Sequence, residues 1–411
     1  MKKDLTTSVG GLNFKNPLLL SPADHTHDLW QLKKALDLGV AGISPKTYTN
    51  FDYVGGESSL VNYMVVDSNF KPVQGKFDRG YSFMTRGGYM RVESDRWVED
   101  LAEAQKYAKL NDAHIIASLW GDLDWMVEKA IEMEQIGIPA IEIDAGCPHF
   151  DAMKSIEGEQ SLNMLEAART QGYERITGAV KIPVFYKVAA KSAADVTAFV
   201  QYCKEAGFAG ATMHNRYLGF VPDIETQKPL FHTWSGIGGS WVQPLTLFRV
   251  FESRKFDPDF QMFGTNGAFN AEDIIRFLLA GCRAVQICTE VMVKGFDVIP
   301  PMLRGLEEYM EKHSIEHISD IIGRATDSAM TREEVYEDKK MAYIDDEKCI
   351  ACGLCIERCP WNGLKMIDGK VICVSYDAER YERACLGCGM CTCMCPKGAI
   401  SLGPRVLTPK P

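Results

Sequence analysis

The chain has 411 residues and a formal net charge of -10, a length that suits one large domain plus a small one. The acidic balance, with no basic stretch able to track phosphates, excludes a nucleic-acid footprint. No apolar run reaches bilayer-spanning length. Met1–Gly10 carries two lysines but no apolar core of a signal peptide, so a cytoplasmic location without a membrane span is expected.

In chain order, short apolar runs that read as strands fall at Pro17–Ser21, Ala41–Ser44, Ile115–Leu119, Ala140–Asp144, Pro183–Lys187, Gly210–His214, Gln261–Gly264 and Ala284–Cys288. Helical patterns follow most of them, for example Asp124–Gln135 and Ala194–Ala206, with Gly137 and Gly207 as stop signals. Eight strand–helix units over this length predict a (β/α)8 barrel over residues 1–310. A doubly wound open sheet is the alternative, disfavoured because no G-x-G-x-x-G opens an early helix. Residues 311–341 read as a polar connector with helical pieces, and a ferredoxin-like domain is expected over 342–411.

Cysteine placement supports that last boundary. Of fourteen cysteines, only Cys147, Cys203, Cys282 and Cys288 precede residue 340, and ten lie between Cys349 and Cys395. A dense terminal cluster favours metal over a disulfide scaffold. The tail repeats one pattern: Cys349-x2-Cys352-x2-Cys355-x3-Cys359-Pro360, then Cys385-x2-Cys388-x2-Cys391-x3-Cys395-Pro396. Three thiolates of each tight loop converge on one cluster, and the fourth cysteine ligates the other. The expected sets are therefore Cys349, Cys352, Cys355 and Cys395 for one [4Fe–4S] cluster, and Cys385, Cys388, Cys391 and Cys359 for a second. Zinc is the alternative, but zinc ribbons pair two C-x-x-C hooks and have no use for a crossed pattern. Cys373 and Cys393 fall outside it. The tail resembles bacterial-type two-cluster ferredoxins.

Clusters move single electrons and need a partner for bond chemistry. In a barrel the active site lies where strands end, with phosphate often held after strands 7 and 8. Those loops read Gly264-Thr265-Asn266-Gly267 and Cys288-Thr289, and Gly236–Ser240 (GIGGS) offers another backbone-lined loop. Small residues there let N–H groups approach a phosphate, although turns also explain glycines.

Six segments carry a family resemblance: Leu12–Ser21 (LNFKNPLLLS), Ile43–Thr47 (ISPKT), Ile141–His149 (IEIDAGCPH), Phe185–Val188 (FYKV), Thr212–Asn215 (TMHN) and Val285–Thr289 (VQICT). Together they resemble the dihydroorotate and dihydropyrimidine dehydrogenase family. With the tail, they resemble the plan of the iron–sulfur flavoprotein subunit of its bacterial NAD-dependent members. The resemblance implies FMN, and reduction or oxidation of a C–C bond next to a carbonyl. It implies Lys46 and Lys187 at the flavin's electron-rich edge and Ser21 and Ala23 along the ring. It implies Gly239, Ser240, Gly267, Cys288 and Thr289 around the phosphate. Plain alternatives exist: a solvated surface for a lysine, simple burial for Cys288.

The substrate side departs from the pyrimidine pattern. The family's asparagine before S-C-P is Asp144, the following serine is Gly146, and Arg216 follows the substrate amide Asn215. The stretch Tyr81–Arg91 lacks the Asn/Glu pattern of pyrimidine-specific relatives. Arg86, Arg91, His25, His149 and His214 are plentiful instead, so an anionic substrate outside the plain pyrimidines is expected. The family's acid/base is a Cys or Ser on the lid after strand 4. Within Phe150–Leu162 the positional match is Ser155, beside Lys154, with Glu157 as runner-up. A catalytically idle barrel serving as a docking scaffold in an electron-transfer subunit, and a flavin-free lyase or aldolase, are the competing readings. No nicotinamide-binding fingerprint is present, so a separate flavin/NAD(P) subunit or a ferredoxin is expected as electron partner. A homo-oligomer is expected too.

Overall fold

A computed structural model of the chain describes residues 3–50, 63–75, 80–86, 94–145, 172–188, 195–374 and 385–406. The chain divides into two compact units, Met1–Asp327 and Ser328–Pro411.

The first unit is a closed barrel of eight parallel strands: β1 Leu18–Leu20, β2 Gly42–Ile43, β3 His114–Leu119, β4 Ala140–Ile143, β5 Val184–Lys187, β6 Gly210–Thr212, β7 Met262–Thr265 and β8 Ala284–Ile287. Each pairs with its neighbours in chain order, and β8 closes on β1. The strands are buried on both faces, packed inward on the barrel and outward on helices. Alternation divides the layers: Leu18 and Leu20 join the helix-facing core, and Leu19 joins Phe14, Ile116, Phe185 and Phe263 in the other. An antiparallel hairpin, Thr7–Val9 with Leu12–Phe14, packs into that second layer. Its turn needs left-handed Gly10 (φ 56), where a Cβ would come within 2.6 Å of the Phe185 ring.

Helix ends follow local chemistry. Asp195 caps Val196–Glu205 by accepting from Ala198 N, and Asn270 caps Ala271–Ala280 by accepting from Asp273 N. Leu123–Gln135 and Val196–Glu205 are followed by Gly137 (φ 85) and Gly207 (φ 75).

One element differs from the sequence reading. Ser235–Gly239 is not a loop but a strand, paired on one side with Tyr217–Gly219 and on the other with Ser82–Thr85, which pairs in turn with Tyr63–Val66. Three glycines in five residues argue against a strand on propensity, but hydrogen bonding on both edges overrides it. The expected connector also divides. Thr326 donates to Ala280 O (2.7 Å), and the Arg254 guanidinium grips both oxygens of Asp327 (2.9 and 2.6 Å), so residues up to Asp327 pack with the barrel.

In the second unit Lys340–Ile344 pairs with Ile400–Pro404, and Leu364–Ile367 with Lys370–Cys373, both antiparallel. Short helices Leu354–Glu357 and Met390–Met394 are each entered through a left-handed glycine, Gly353 (φ 80) and Gly389 (φ 81), so the sequence duplication is also a backbone duplication. Among the described residues, no helix is long and apolar enough to cross a membrane.

Candidate active site and cysteine cavities

A cavity of ≈ 1030 Å³, mouth included, opens at the C-terminal ends of the barrel strands. It brings together Ser21, Ala23, Lys46, Lys187, Gly267, Cys288 and Thr289 with Asp144, Asn215 and Arg216. Gly239 and Ser240 are not in its wall. Gly239 backs onto Tyr81 and Trp241, and the glycine of that strand that faces the loops after β7 and β8 is Gly238. A Cβ on Gly238 would lie 3.3 Å from Asn266 Oδ1 and 3.9 Å from Thr289 Oγ1. His149, Ser155, Glu157 and Arg91 lie outside the described residues.

The floor holds a buried network absent from the sequence reading. Glu142, on β4, is fully buried. It accepts from Thr212 Oγ1 (2.5 Å) on β6, Gln286 Nε2 (2.8 Å) on β8 and Lys187 Nζ (3.3 Å) on β5. Lys187 also donates to Ser21 Oγ (3.2 Å) after β1. Four staves of the barrel thus converge on one carboxylate, which fixes the Lys187 ammonium at the cavity floor. The signal was present: an acid inside the apolar run Ala140–Ile143 must be paired if that run is a core strand.

Lys46 is held differently, by Asp24 at 2.5 Å in the 3-10 turn Asp24–Thr26, while its backbone N donates to Thr26 O (2.9 Å). Asp144 accepts from Asn215 Nδ2 (3.0 Å) and Thr47 Oγ1 (3.2 Å). Burial pushes its carboxyl above the ordinary value, against the pull of Lys187. Burial draws His214 down to about 4 and His25 down to about 3, so both are neutral imidazoles. His25 is not in the cavity wall; its ring packs near Phe296. Burial raises the Cys288 thiol, which suits a packed small residue better than a nucleophile.

The four-stranded sheet supplies the remaining wall. Thr85 Oγ1 accepts from the Arg216 guanidinium (3.1 Å). Arg86 donates to Phe231 O (3.0 Å) and lies over the Phe231 ring. Both arginines line the cavity, and among the described residues neither pairs with a carboxylate.

The site fits a flavin on its donor set. Two fixed ammonium groups sit among small residues, and two buried polar atoms, Gln286 Oε1 and His214 Nε2, have no partner among the described residues. A planar ring with polar edges would satisfy such atoms. Asn266 (φ 63) and Gly267 (φ 109) are consecutive left-handed residues, a backbone form suited to an anion.

In the second unit the eight motif cysteines line two cavities. One, of ≈ 320 Å³, is lined by Cys385, Cys388, Cys391 and Cys359; the other, of ≈ 330 Å³, by Cys349, Cys352, Cys355 and Cys395. Among the described residues no three His, Cys, Asp or Glu side chains close on a single-ion point; the thiols instead line two separate cavities. Backbone N–H groups donate to sulfur at equivalent places, Gly363 N to Cys359 and Ala399 N to Cys395, both 3.2 Å. Sulfurs that accept backbone hydrogen bonds fit an iron–sulfur ligand set.

Known proteins match both units. A family model described as dihydroorotate dehydrogenase matches residues 71–310, and one described as a 4Fe-4S binding domain matches residues 342–365. The catalytic subunit of dihydroorotate dehydrogenase B (NAD(+)) from Thermoplasma volcanium is 25% identical over 325 residues, covering 78% of this chain and 98% of that protein. Its Pyrococcus furiosus counterpart is 26% identical over 330 residues, covering 77% and 96%. The chloroplastic dihydropyrimidine dehydrogenase (NADP(+)) of Arabidopsis thaliana is 24% identical over 382 residues, covering 88% and 85%.

Proposed function

Because the chain belongs to the dihydroorotate dehydrogenase family, we propose that it reduces or oxidises a C–C bond beside a carbonyl in an anionic, non-pyrimidine substrate, with electrons relayed through two [4Fe–4S] clusters. At the coarser level it is a flavin- and iron–sulfur-dependent oxidoreductase acting on CH–CH groups. The observation that carries the substrate reading is the pair of guanidiniums, Arg86 and Arg216, facing one cavity without a carboxylate partner among the described residues. A planar guanidinium binds a carboxylate through two parallel hydrogen bonds.

FMN, when bound, exchanges two electrons with substrate carbon and single electrons with a cluster. Lys46 and Lys187 hold positive charge against its electron-rich edge, and Ser21 and Ala23 leave room along its ring. Gly267, Cys288 and Thr289 receive its phosphate. Asp144, Asn215, Arg216 and His149 contact substrate. Ser155 or Glu157 moves the proton at the substrate carbon. The four-cysteine lining of each tail cavity supports two clusters. Relatives named as catalytic subunits support a separate flavin/NAD(P) subunit or ferredoxin as electron partner. Assembly as a homo-oligomer completes the reading and is checked by sedimentation.

The test is an anaerobic screen of the reduced holoprotein against fumarate, crotonate, orotate and uracil, read as flavin reoxidation. An acid is expected to outpace neutral uracil, and Arg216→Ala to weaken only the acid. Uracil turned over as fast as any acid would count decisively against an anionic substrate. A flavin that nothing reoxidises, while the clusters cycle with an added ferredoxin, would favour the electron-transfer scaffold.

A further inference from the structure

Asp144 stands where the resemblance places an asparagine, and its setting is unusual for an acid. It follows β4 directly, and its backbone N donates to Leu119 O (2.9 Å), which pins it to the cavity wall. Its exposure is 7%. Both side-chain oxygens accept from uncharged donors, Asn215 Nδ2 at 3.0 Å and Thr47 Oγ1 at 3.2 Å. Thr47 Oγ1 is also 2.9 Å from Ser118 Oγ. Lys187, the cation best placed to neutralise it, is bonded to Glu142 and Ser21. Arg216 is anchored on Thr85, and Lys46 on Asp24. Among the described residues no ion pair reaches Asp144.

A buried carboxylate without an ion pair is costly and neutralises by taking up a proton. A carboxylic acid has the shape of a carboxamide and likewise joins a carbonyl acceptor to a donor, with a single O–H, the stronger donor, in place of the two N–H groups. A neutral Asp144 therefore keeps an acceptor oxygen for Asn215 Nδ2 and carries one O–H donor on the other oxygen.

Resting on the reading of the reaction above, we propose that Asp144 is a neutral carboxylic acid whose O–H donates to the substrate carbonyl oxygen. It thereby stabilises the negative charge that gathers there as the neighbouring C–C bond is reduced or oxidised. The proton stays on Asp144 and no bond to it forms or breaks, so the role is that of an oxyanion-hole donor, not of the acid/base at carbon. Removing one preorganised donor of this kind slows an enzyme by about 10²–10³-fold. Burial, aided by the negative charge of Glu142, favours the neutral form; Lys187 and Arg216 oppose it. Arg86, the Asp24–Lys46 pair and neutral His214 also face the cavity.

Infrared spectra of the flavin- and cluster-loaded protein decide the protonation state without turnover. At neutral pH the wild type should show the carbonyl stretch of a protonated acid that Asp144→Asn and Asp144→Ala both lack. With the fastest compound of the anaerobic panel, Asp144→Ala should fall about 100-fold. Asp144→Asn, which still donates, should fall less than about tenfold and lose the alkaline limb of the pH profile. The proposal is overturned if the band is missing, or if Asp144→Asn falls as far as Asp144→Ala, as it would were the charge itself needed. A panel in which nothing reoxidises the flavin is the failure of the reaction reading instead. The infrared band is recorded without substrate and decides the state of Asp144 regardless.

Discussion

Replacing Glu142 by alanine should be among the most damaging single changes in the barrel. The variant removes three hydrogen bonds, to Thr212, Gln286 and Lys187, and leaves the Lys187 ammonium without its counter-charge. The two side chains are 5% and 1% exposed, so solvent does little to screen the loss. Removing one partner of a buried pair costs about 3–5 kcal/mol, mostly because the other charge is left uncompensated. Glu142→Gln preserves an acceptor for Thr212 and Gln286 and should cost about 1–3 kcal/mol. The decisive variant is Glu142→Ala combined with Lys187→Met. If the stranded ammonium dominates, the double variant is clearly more stable than the sum of the singles requires, with a coupling of about 1–3 kcal/mol. Urea unfolding of flavin-stripped protein, followed by the fluorescence of tryptophans such as buried Trp97, keeps cofactor binding out of the comparison. A loss below about 1 kcal/mol for Glu142→Ala, or strict additivity in the double variant, would refute the assignment of the network as a charge trap for Lys187.

Anaerobically prepared protein should carry about eight iron and eight acid-labile sulfide. Cys359→Ala should damage the cluster of the Cys385 loop, and Cys395→Ala that of the Cys349 loop; variants that damage only their own sequence-local loop would overturn the crossed ligation. Stability should fall on acidification. His25 and His214 have folded pKa values lowered to about 3 and about 4, so the unfolded chain takes up protons first. Their contribution is intact above the ordinary value near 6.5 and is lost as pH falls toward the folded values. From about pH 7 to about pH 5 this amounts to on the order of 2 kcal/mol per histidine. A urea midpoint that does not move over that range, or that moves in His25→Phe and His214→Gln as far as in the wild type, would rule this out. For the proton at carbon, Cys147 belongs in the same panel as Ser155 and Glu157. β4 ends at Ile143 and Asp144 is in the wall, so Cys147 is the nearest thiol or hydroxyl side chain along the chain after that strand. The true acid/base, replaced by alanine, should slow substrate-linked flavin kinetics strongly and spare reduction by dithionite; three unaffected variants would place the proton elsewhere.

The barrel strands were legible because each had to be apolar on both faces. Ala140–Asp144 was expected where Ala140–Ile143 is found, and Gln261–Gly264 where Met262–Thr265 is found. The four-stranded sheet was not legible. Its strands come from two excursions, residues 63–85 and 217–239, and what makes Ser235–Gly239 a strand is a partner some 150 residues away. Local composition, rich in glycine, pointed the other way. Which motif cysteines line a common cavity could be read, because each tight loop brings three sulfurs together and the duplicated pattern sends the fourth to the other loop. The Glu142 network could not be read in full, since Gln286 on β8 meets Glu142 on β4, a strand that is not its neighbour, only once the barrel closes. Yet the acid inside an apolar strand was itself a flag.

The two halves of the cavity wall have different origins, and this bears on how far relatives at 23–26% identity can be used. Lys46, Lys187, Ser21 and Gly267 sit at strand ends or one short loop beyond, where the closed barrel dictates position. Arg216 and Arg86 are aimed by the two excursions that build the added sheet, through Thr85 and Phe231. A barrel tolerates changes in such excursions far better than changes in its staves. The segments resembling the family lie on the staves, and most departures, Arg216 and the Tyr81–Arg91 stretch among them, lie off them. Asp144 is the exception, a departure at a stave end, bonded to Asn215 after β6. A change in what is bound can therefore be carried by the excursions alone, but a change at Asp144 alters the polarity that the barrel frame presents to the cavity. Agreement with dihydroorotate or dihydropyrimidine enzymes along the staves accordingly bears on flavin chemistry, while the nature of the substrate has to be argued from Arg86, Arg216 and Asp144 themselves.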